Sequence, residues 1–139
     1  MSNNQANGIT NLAQLIKNMD PILNKGEYVF TTVQDLSNIP RGISICEMRE
    51  AEGITVVLSK ENAIQLGLPF EFIASWITLN VHSSLEAVGL TAAFAKALGD
   101  NNISCNVIAG YYHDHVFVDT KDETKAMNVL REMSKKAHS

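Results

Sequence analysis

One stretch constrains the fold more than any other, from Phe72 to Val118: an alternating run, a polar break, an apolar run of helical length, then two short alternating runs. From Phe72 to Val81 the residues Ile73, Ile77, Leu79 and Val81 alternate with Ala74, Trp76, Thr78 and Asn80. Alternation by two sends successive side chains to opposite faces of a sheet. One face is aliphatic. The other is mixed, with Trp76 its largest member, as in an antiparallel sheet with one covered face.

The break is His82-Ser83-Ser84. A serine hydroxyl accepts from the unpaired N–H groups of a helix's first turn, and Ser83-x-x-Glu86 has the form of a capping box. These signals predict a helix from Leu85 to Leu98, stopped by Gly99. Lys96 is its only charge after Glu86. A helix apolar nearly all round is covered on more than one side, by its own chain or by a second copy. Gly89 falls one turn inside, where glycine costs about 1 kcal/mol relative to alanine, and reads as a close approach of helix, ligand or partner. Asp100-Asn101-Asn102 is a turn. A strand from Ile103 to Tyr111 follows, with Gly110 marking a bulge or a close backbone approach. The link at His113-Asp114 leads into His115–Val118, and Thr120-x-x-Glu123 introduces a closing helix with Ala126, Met127, Val129, Leu130 and Met133 on one stripe.

Before this stretch, Thr10 is placed to cap a helix over Asn11–Met19. Glu27–Val33, Ile43–Arg49 and Ile54–Leu58 read as strands, the last two joined through Glu50–Gly53. Ser59 caps a short helix over Lys60–Leu66 ended by Gly67, and Leu68-Pro69 divides the chain into halves of residues 1–68 and 69–139. Both halves carry strand, turn, strand and capped helix, at a spacing of about sixty residues. Each offers three strands where a βαββαβ unit needs four, so strand sharing is expected to complete the sheets and protect their edges. The fold class is α+β.

Composition excludes some functions. The chain has 139 residues and a net charge of −4 with scattered lysines and arginines, which argues against a nucleic-acid partner. It lacks an apolar run of membrane-spanning length and a signal peptide, so no membrane partner and a cytoplasmic location are expected. Charged residues make up 19%, below the usual quarter, which points to extra covered surface and a homo-oligomer. Cys46 and Cys105 read as free buried thiols.

The stretch WITLNVHSSLEAVGLTAAFAKAL, the later AGYYHDHVFVD and the opening from Leu15 to Phe30 resemble a family of small bacterial proteins made of two ACT-type halves. The resemblance implies two ferredoxin-like halves with completed sheets and a regulatory role. It also implies that the loop between first strand and first helix, here Val81 to Gly89, belongs to a site for an amino acid.

The candidate ligand-binding residues are accordingly His82, Ser83, Ser84, Glu86 and Gly89 with Tyr112, His113, Asp114 and His115. A helix amino end carries partial positive charge and favours a carboxylate, so an amino acid or small carboxylate is the expected ligand. The alternative is a ligand-free interaction module using the apolar helix. His82, Glu86, His113 and His115 also suggest a metal enzyme, yet no short ligand motif is present, and loop histidines satisfied by the protein are the simpler reading. His82, Ser84 and Asp114 lack the G-x-S-x-G context of a hydrolase. No metal, no cofactor and no catalysis are expected. If the chain folds as βαββαβ, His82 and His113 are expected at one edge of the sheet.

Overall fold

The computed structural model describes residues 12–81 and 89–137. The chain divides into two compact units, one formed by Lys25–Ser75 and the other by the residues up to Asn24 together with those from Trp76 onward.

The Lys25–Ser75 unit contains β2 (Tyr28–Val33), β3 (Cys46–Arg49), β4 (Ile54–Ser59), α2 (Lys60–Gln65) and the start of β5 (Ile73–Leu79). β4 lies between its neighbours, antiparallel to both, with Val29 opposite Leu58 and Met48 opposite Thr55. β2 also pairs antiparallel with the start of β5, Tyr28 opposite Ala74. The order is β3-β4-β2-β5. Alternation sets the core: Val29, Val56 and Leu58 are buried with Ala63 of α2. Ser59 caps α2, its hydroxyl accepting from the Asn62 N–H at 3.1 Å.

The other unit holds α1 (residues 12–18), β1 (Pro21–Leu23), the end of β5, α3 (Leu90–Asp100), β6 (Cys105–Ala109), β7 (Asp114–Asp119) and α4 (Glu123–Ala137). β1 pairs antiparallel with β5, Ile22 opposite Thr78, and β6 with β7, Val107 opposite Val116. The order is β1-β5-β7-β6. α3 packs on α4 and β6, and α4 on β1 and β7. Met19, Ile77, Leu79, Val81, Leu90, Phe94, Leu98, Val116, Val118 and Leu130 belong to one core. Ser134 of α4 donates to the Lys17 carbonyl at 2.8 Å, satisfying an acceptor at the end of α1.

Each order is that of a ferredoxin-like sheet, in which the closing strand lies beside the opening one. β5 closes the Lys25–Ser75 unit with its first residues and opens the other with its last. β1 takes the closing position in that second ladder. Three strands per half thus become four through β5 and β1.

Several local expectations change. β1 is an unforeseen strand. Proline is tolerated at a strand's first residue, and Pro21 occupies that place. α3 begins at Leu90 rather than Leu85, because Gly89 has φ 97° and acts as its N-cap. A left-handed residue ends helical geometry, so α3 does not extend back through Gly89, and residues 85–88 of the expected helix lie outside the described residues. At the other end Gly99 sits in the last turn, and Asn101 is the C-cap. The turn before α4 is a 3-10 turn over Thr120–Asp122 whose cap is Asp119, accepting from the Lys121 N–H at 3.0 Å, in place of Thr120. Cys46 and Cys105 are both free and half-buried. Thr10 and Asn11 lie outside the described residues.

Candidate functional site

β6 and β7 are joined by a tight link. The Gly110 N–H donates to the His113 carbonyl at 2.9 Å, and Tyr111 and Tyr112 stand out from it, 75% and 63% exposed, their rings edge to face at 4.9 Å. Gly110 is required there. A Cβ would lie 2.9 Å from the His113 carbonyl oxygen and 3.2 Å from His115 Nε2, closer than side-chain carbons normally approach. The glycine marks the close approach that its place in the sequence suggested.

The link reaches the end of β5. His113 Nδ1 lies 3.4 Å from the Val81 carbonyl oxygen. A carbonyl only accepts, so this nitrogen carries the proton of a long hydrogen bond. β5 and β6 therefore finish at one edge. The next residue, His82, lies outside the described residues, as do Ser83, Ser84 and Glu86, so the placement of His82 relative to His113 is not described. Across the same gap Gly89 begins α3 without a side-chain hydrogen bond to its first turn. The open space a Cβ would need at Gly89 is limited by Leu12 Cδ2 of α1 at 3.0 Å.

Asp114 and His115 lie on β7, opposite Ala109 and Ile108. Alternation turns Val116 and Val118 to the core and His115 and Phe117 to the other face, which β5 supplies with Trp76 and Thr78. The Trp76 indole N–H donates to His115 Nδ1 at 3.0 Å, and Thr78 Oγ1 stands 3.1 Å from the same nitrogen. Asn24 donates to Thr78 Oγ1 at 2.9 Å and to the Trp76 carbonyl at 3.1 Å. Trp76 also stacks on Phe117, centroids 6.0 Å apart. Burial, then the neighbouring His113 charge, hold the His115 pKa below the ordinary histidine value, and Asp114 opposes them. Burial raises the Asp114 carboxyl above its usual range, with His115 acting against it.

His113 and His115 therefore do different work. One binds the end of β5 through a protonated nitrogen, the other is an acceptor within the sheet face. Neither Nδ1 is open to a metal ion, and no cluster of three or more metal-ligating side chains occurs among the described residues. Trp76, Thr78 and Asn24 were not candidates from sequence. The signal was present in part, since Trp76 and Thr78 are two apart on a strand and share a face. A separate groove of about 560 Å³ opens between α3 and α4, lined by Asp100, Lys125, Glu132 and Lys136 among others. It lies at the carboxyl end of α3, whereas Gly89 is at the amino end.

Two matches to the ACT domain cover residues 7–75 and 71–132. A Vibrio cholerae protein of unknown function, described as a possible transport protein, is 48% identical, covering 91% of this chain and 98% of its own, with a TM-score of 0.81. The chain belongs to this family of small proteins built from two ACT domains. An Agrobacterium tumefaciens protein shares the fold at 15% identity and TM-score 0.70, covering 84% of this chain and 89% of its own. The regulatory subunit of aspartate kinase from Thermus thermophilus does so at 10% identity and TM-score 0.59, covering 81% of this chain and 95% of its own. No curated protein matches the chain. The two ACT matches overlap at residues 71–75, where β5 begins. The two-ACT architecture supports a general regulatory role in sensing small molecules. Among the described residues, no helix is long and apolar enough to cross a membrane.

Proposed function

We propose that this two-ACT protein is a regulatory module whose ligand is an amino acid or another small carboxylate, taken where β5 ends. The observation that carries the reading is the His113 contact with the Val81 carbonyl, which brings the β6–β7 link to the mouth of the segment leading into α3. That segment is the ligand loop implied by the ACT resemblance. A helix amino end leaves N–H groups and partial positive charge for an anion, and Gly89 provides no side-chain acceptor of its own. The proposed contacts are His82, Ser83, Ser84, Glu86 and Gly89 from one segment and Tyr112, His113 and Asp114 from the other, with His115 supporting the link from within the sheet. The fold shared with an aspartate kinase regulatory subunit supports a sensing role at the coarser level.

A ligand that binds only the native state raises its melting temperature. A thermal-shift screen across the amino acids and small carboxylates is expected to single out one chemical class, with the response lost in His113→Ala. A screen without a responder, or a response that His113→Ala leaves intact, refutes the reading.

A further inference from the structure

Two side chains of β5 converge on Nδ1 of His115: the indole N–H of Trp76 at 3.0 Å and the hydroxyl of Thr78 at 3.1 Å. The Asn24 amide donates to Thr78 Oγ1 at 2.9 Å, which leaves the hydroxyl its own hydrogen for His115. An indole N–H can only donate. Nδ1 must therefore present its lone pair, and the neutral ring carries its proton on Nε2. Protonating Nδ1 sets two N–H groups head to head. Thr78 can reverse its role, because a hydroxyl also accepts. Trp76 cannot.

The Nε2 side of the ring abuts the link. A Cβ on Gly110 would lie 3.2 Å from Nε2 and 3.4 Å from Cδ2, and the Gly110 N–H closes the turn onto the His113 carbonyl. A ring pushed away from Trp76 displaces the turn that carries Tyr111, Tyr112 and His113. We propose that His115 is a proton-sensitive latch: neutral, it fixes the β6–β7 link against β5; protonated, it releases it. The latch stands whether or not a ligand binds near the link.

The titratable groups facing the ring among the described residues are His113 in the link and Asp114 on its own strand. β5 and the turn after β1 bring Trp76, Thr78 and Asn24, none of which titrates, and β6 places Ile108 opposite. Burial and the charge on His113 favour the neutral ring, and the Asp114 carboxylate opposes them. The latch is closed at neutral pH and opens in acid.

Trp76 is the single tryptophan of the chain, so its fluorescence in the full-length protein reports this site alone. Nitrogen NMR at neutral pH is expected to show His115 as the Nε2–H tautomer. On acidification the indole N–H resonance and the fluorescence are expected to change at the midpoint of the His115 ring, below the ordinary value of 6.5, and His115→Gln abolishes that transition. An Nδ1–H tautomer at neutral pH overturns the proposal. So does an indole signal that ignores the His115 titration, or a transition that survives in His115→Gln. The tautomer measurement needs only the unaltered chain, so a variant that fails to fold leaves the decision intact.

Discussion

The Trp76 indole N–H donates to Nδ1 of His115 across 3.0 Å, and this bond assigns the tautomer of a ring that the sequence shows only as the second histidine of His-Asp-His. An indole without an acceptor and an imidazole nitrogen without a donor are both penalised when partly buried. Replacing Trp76 by phenylalanine keeps an aromatic ring beside Phe117 and removes the donor. The expected loss is about 1 kcal/mol of unfolding free energy, together with a His115 pKa that moves up towards the ordinary value. Urea denaturation measures the first and an NMR titration of the histidines the second. A variant whose His115 titrates as before shows that burial alone sets the ring's state.

Gly110 and Gly99 make an informative pair. Alanine at Gly110 puts a carbon 2.9 Å from backbone oxygen, and overpacking of this kind destabilises by about 1–3 kcal/mol. Gly99 lies in the last turn of α3 with nothing within 4 Å of an added Cβ. Alanine there is expected to stabilise by up to about 1 kcal/mol, since it narrows the unfolded ensemble and favours helix. Opposite signs in thermal denaturation confirm the assignment. Equal effects contradict it.

At Gly89 the backbone rather than space sets the outcome. With φ at 97°, any side chain there is strained, by roughly 1–2 kcal/mol, and the new carbon meets Leu12 at 3.0 Å. Gly89→Ala is expected to lower the melting temperature and to weaken the response to whichever carboxylate the screen identifies. If stability falls while the ligand midpoint stays unchanged, Gly89 serves only the helix start.

The pH dependence of stability follows from two groups with opposite signs. His115 has a folded pKa below 6.5, so the unfolded chain binds more protons once the pH drops under that value. Its contribution is complete above 6.5 and is lost as pH falls through the folded pKa. Asp114 has a folded pKa above 3.8, so the native state takes up its proton first and Asp114 gains on acidification. The expected curve falls below 6.5 with His115 as its main cause. Denaturation midpoints on either side of that value are expected to differ less in His115→Gln than in the unaltered chain, and an unchanged difference rejects the assignment.

The outer face of α3 bears on assembly. Ala92 is exposed and Ala93 and Ala97 are half-buried, with Lys96, paired to Asp100, the charge among them. A homo-oligomer formed through this face predicts that Ala92→Arg yields a folded monomer in light scattering. A variant with unchanged mass places the contact elsewhere. Core positions behave differently: Phe94 and Leu98, fully buried on the opposite stripe, are expected to cost about 3–5 and 2–5 kcal/mol respectively when cut to alanine.

Periodicity revealed the strongly patterned elements. β4 to α4 were all legible because the alternation of Ile77 and Leu79 with Trp76 and Thr78, and the helical stripe of Ala126, Met127 and Leu130, each fit one period. β1 was hidden because three residues beginning with proline carry no period. The start of α3 was misplaced because Ser83-x-x-Glu86 has the form of a cap, while the conformation that sets the start belongs to Gly89. At the site, His113 could be singled out from sequence, and so could Gly110. The different roles of His113 and His115 could not, because they depend on a carbonyl and an indole brought to them by β5.

β5 also has a consequence for how the protein is made. β1 leaves the ribosome before the residues that pair with it, Ile77 to Leu79, which lie beyond the whole Lys25–Ser75 unit. Asn24, which bonds the Trp76 carbonyl, waits for a partner 52 residues downstream. Lys25–Ser75 contains both sides of its own strand pairings, while β1 stays unpaired until Ile77–Leu79 follow. A pause in translation before Ile77 leaves the ribosome would therefore leave β1 without the strand it pairs with.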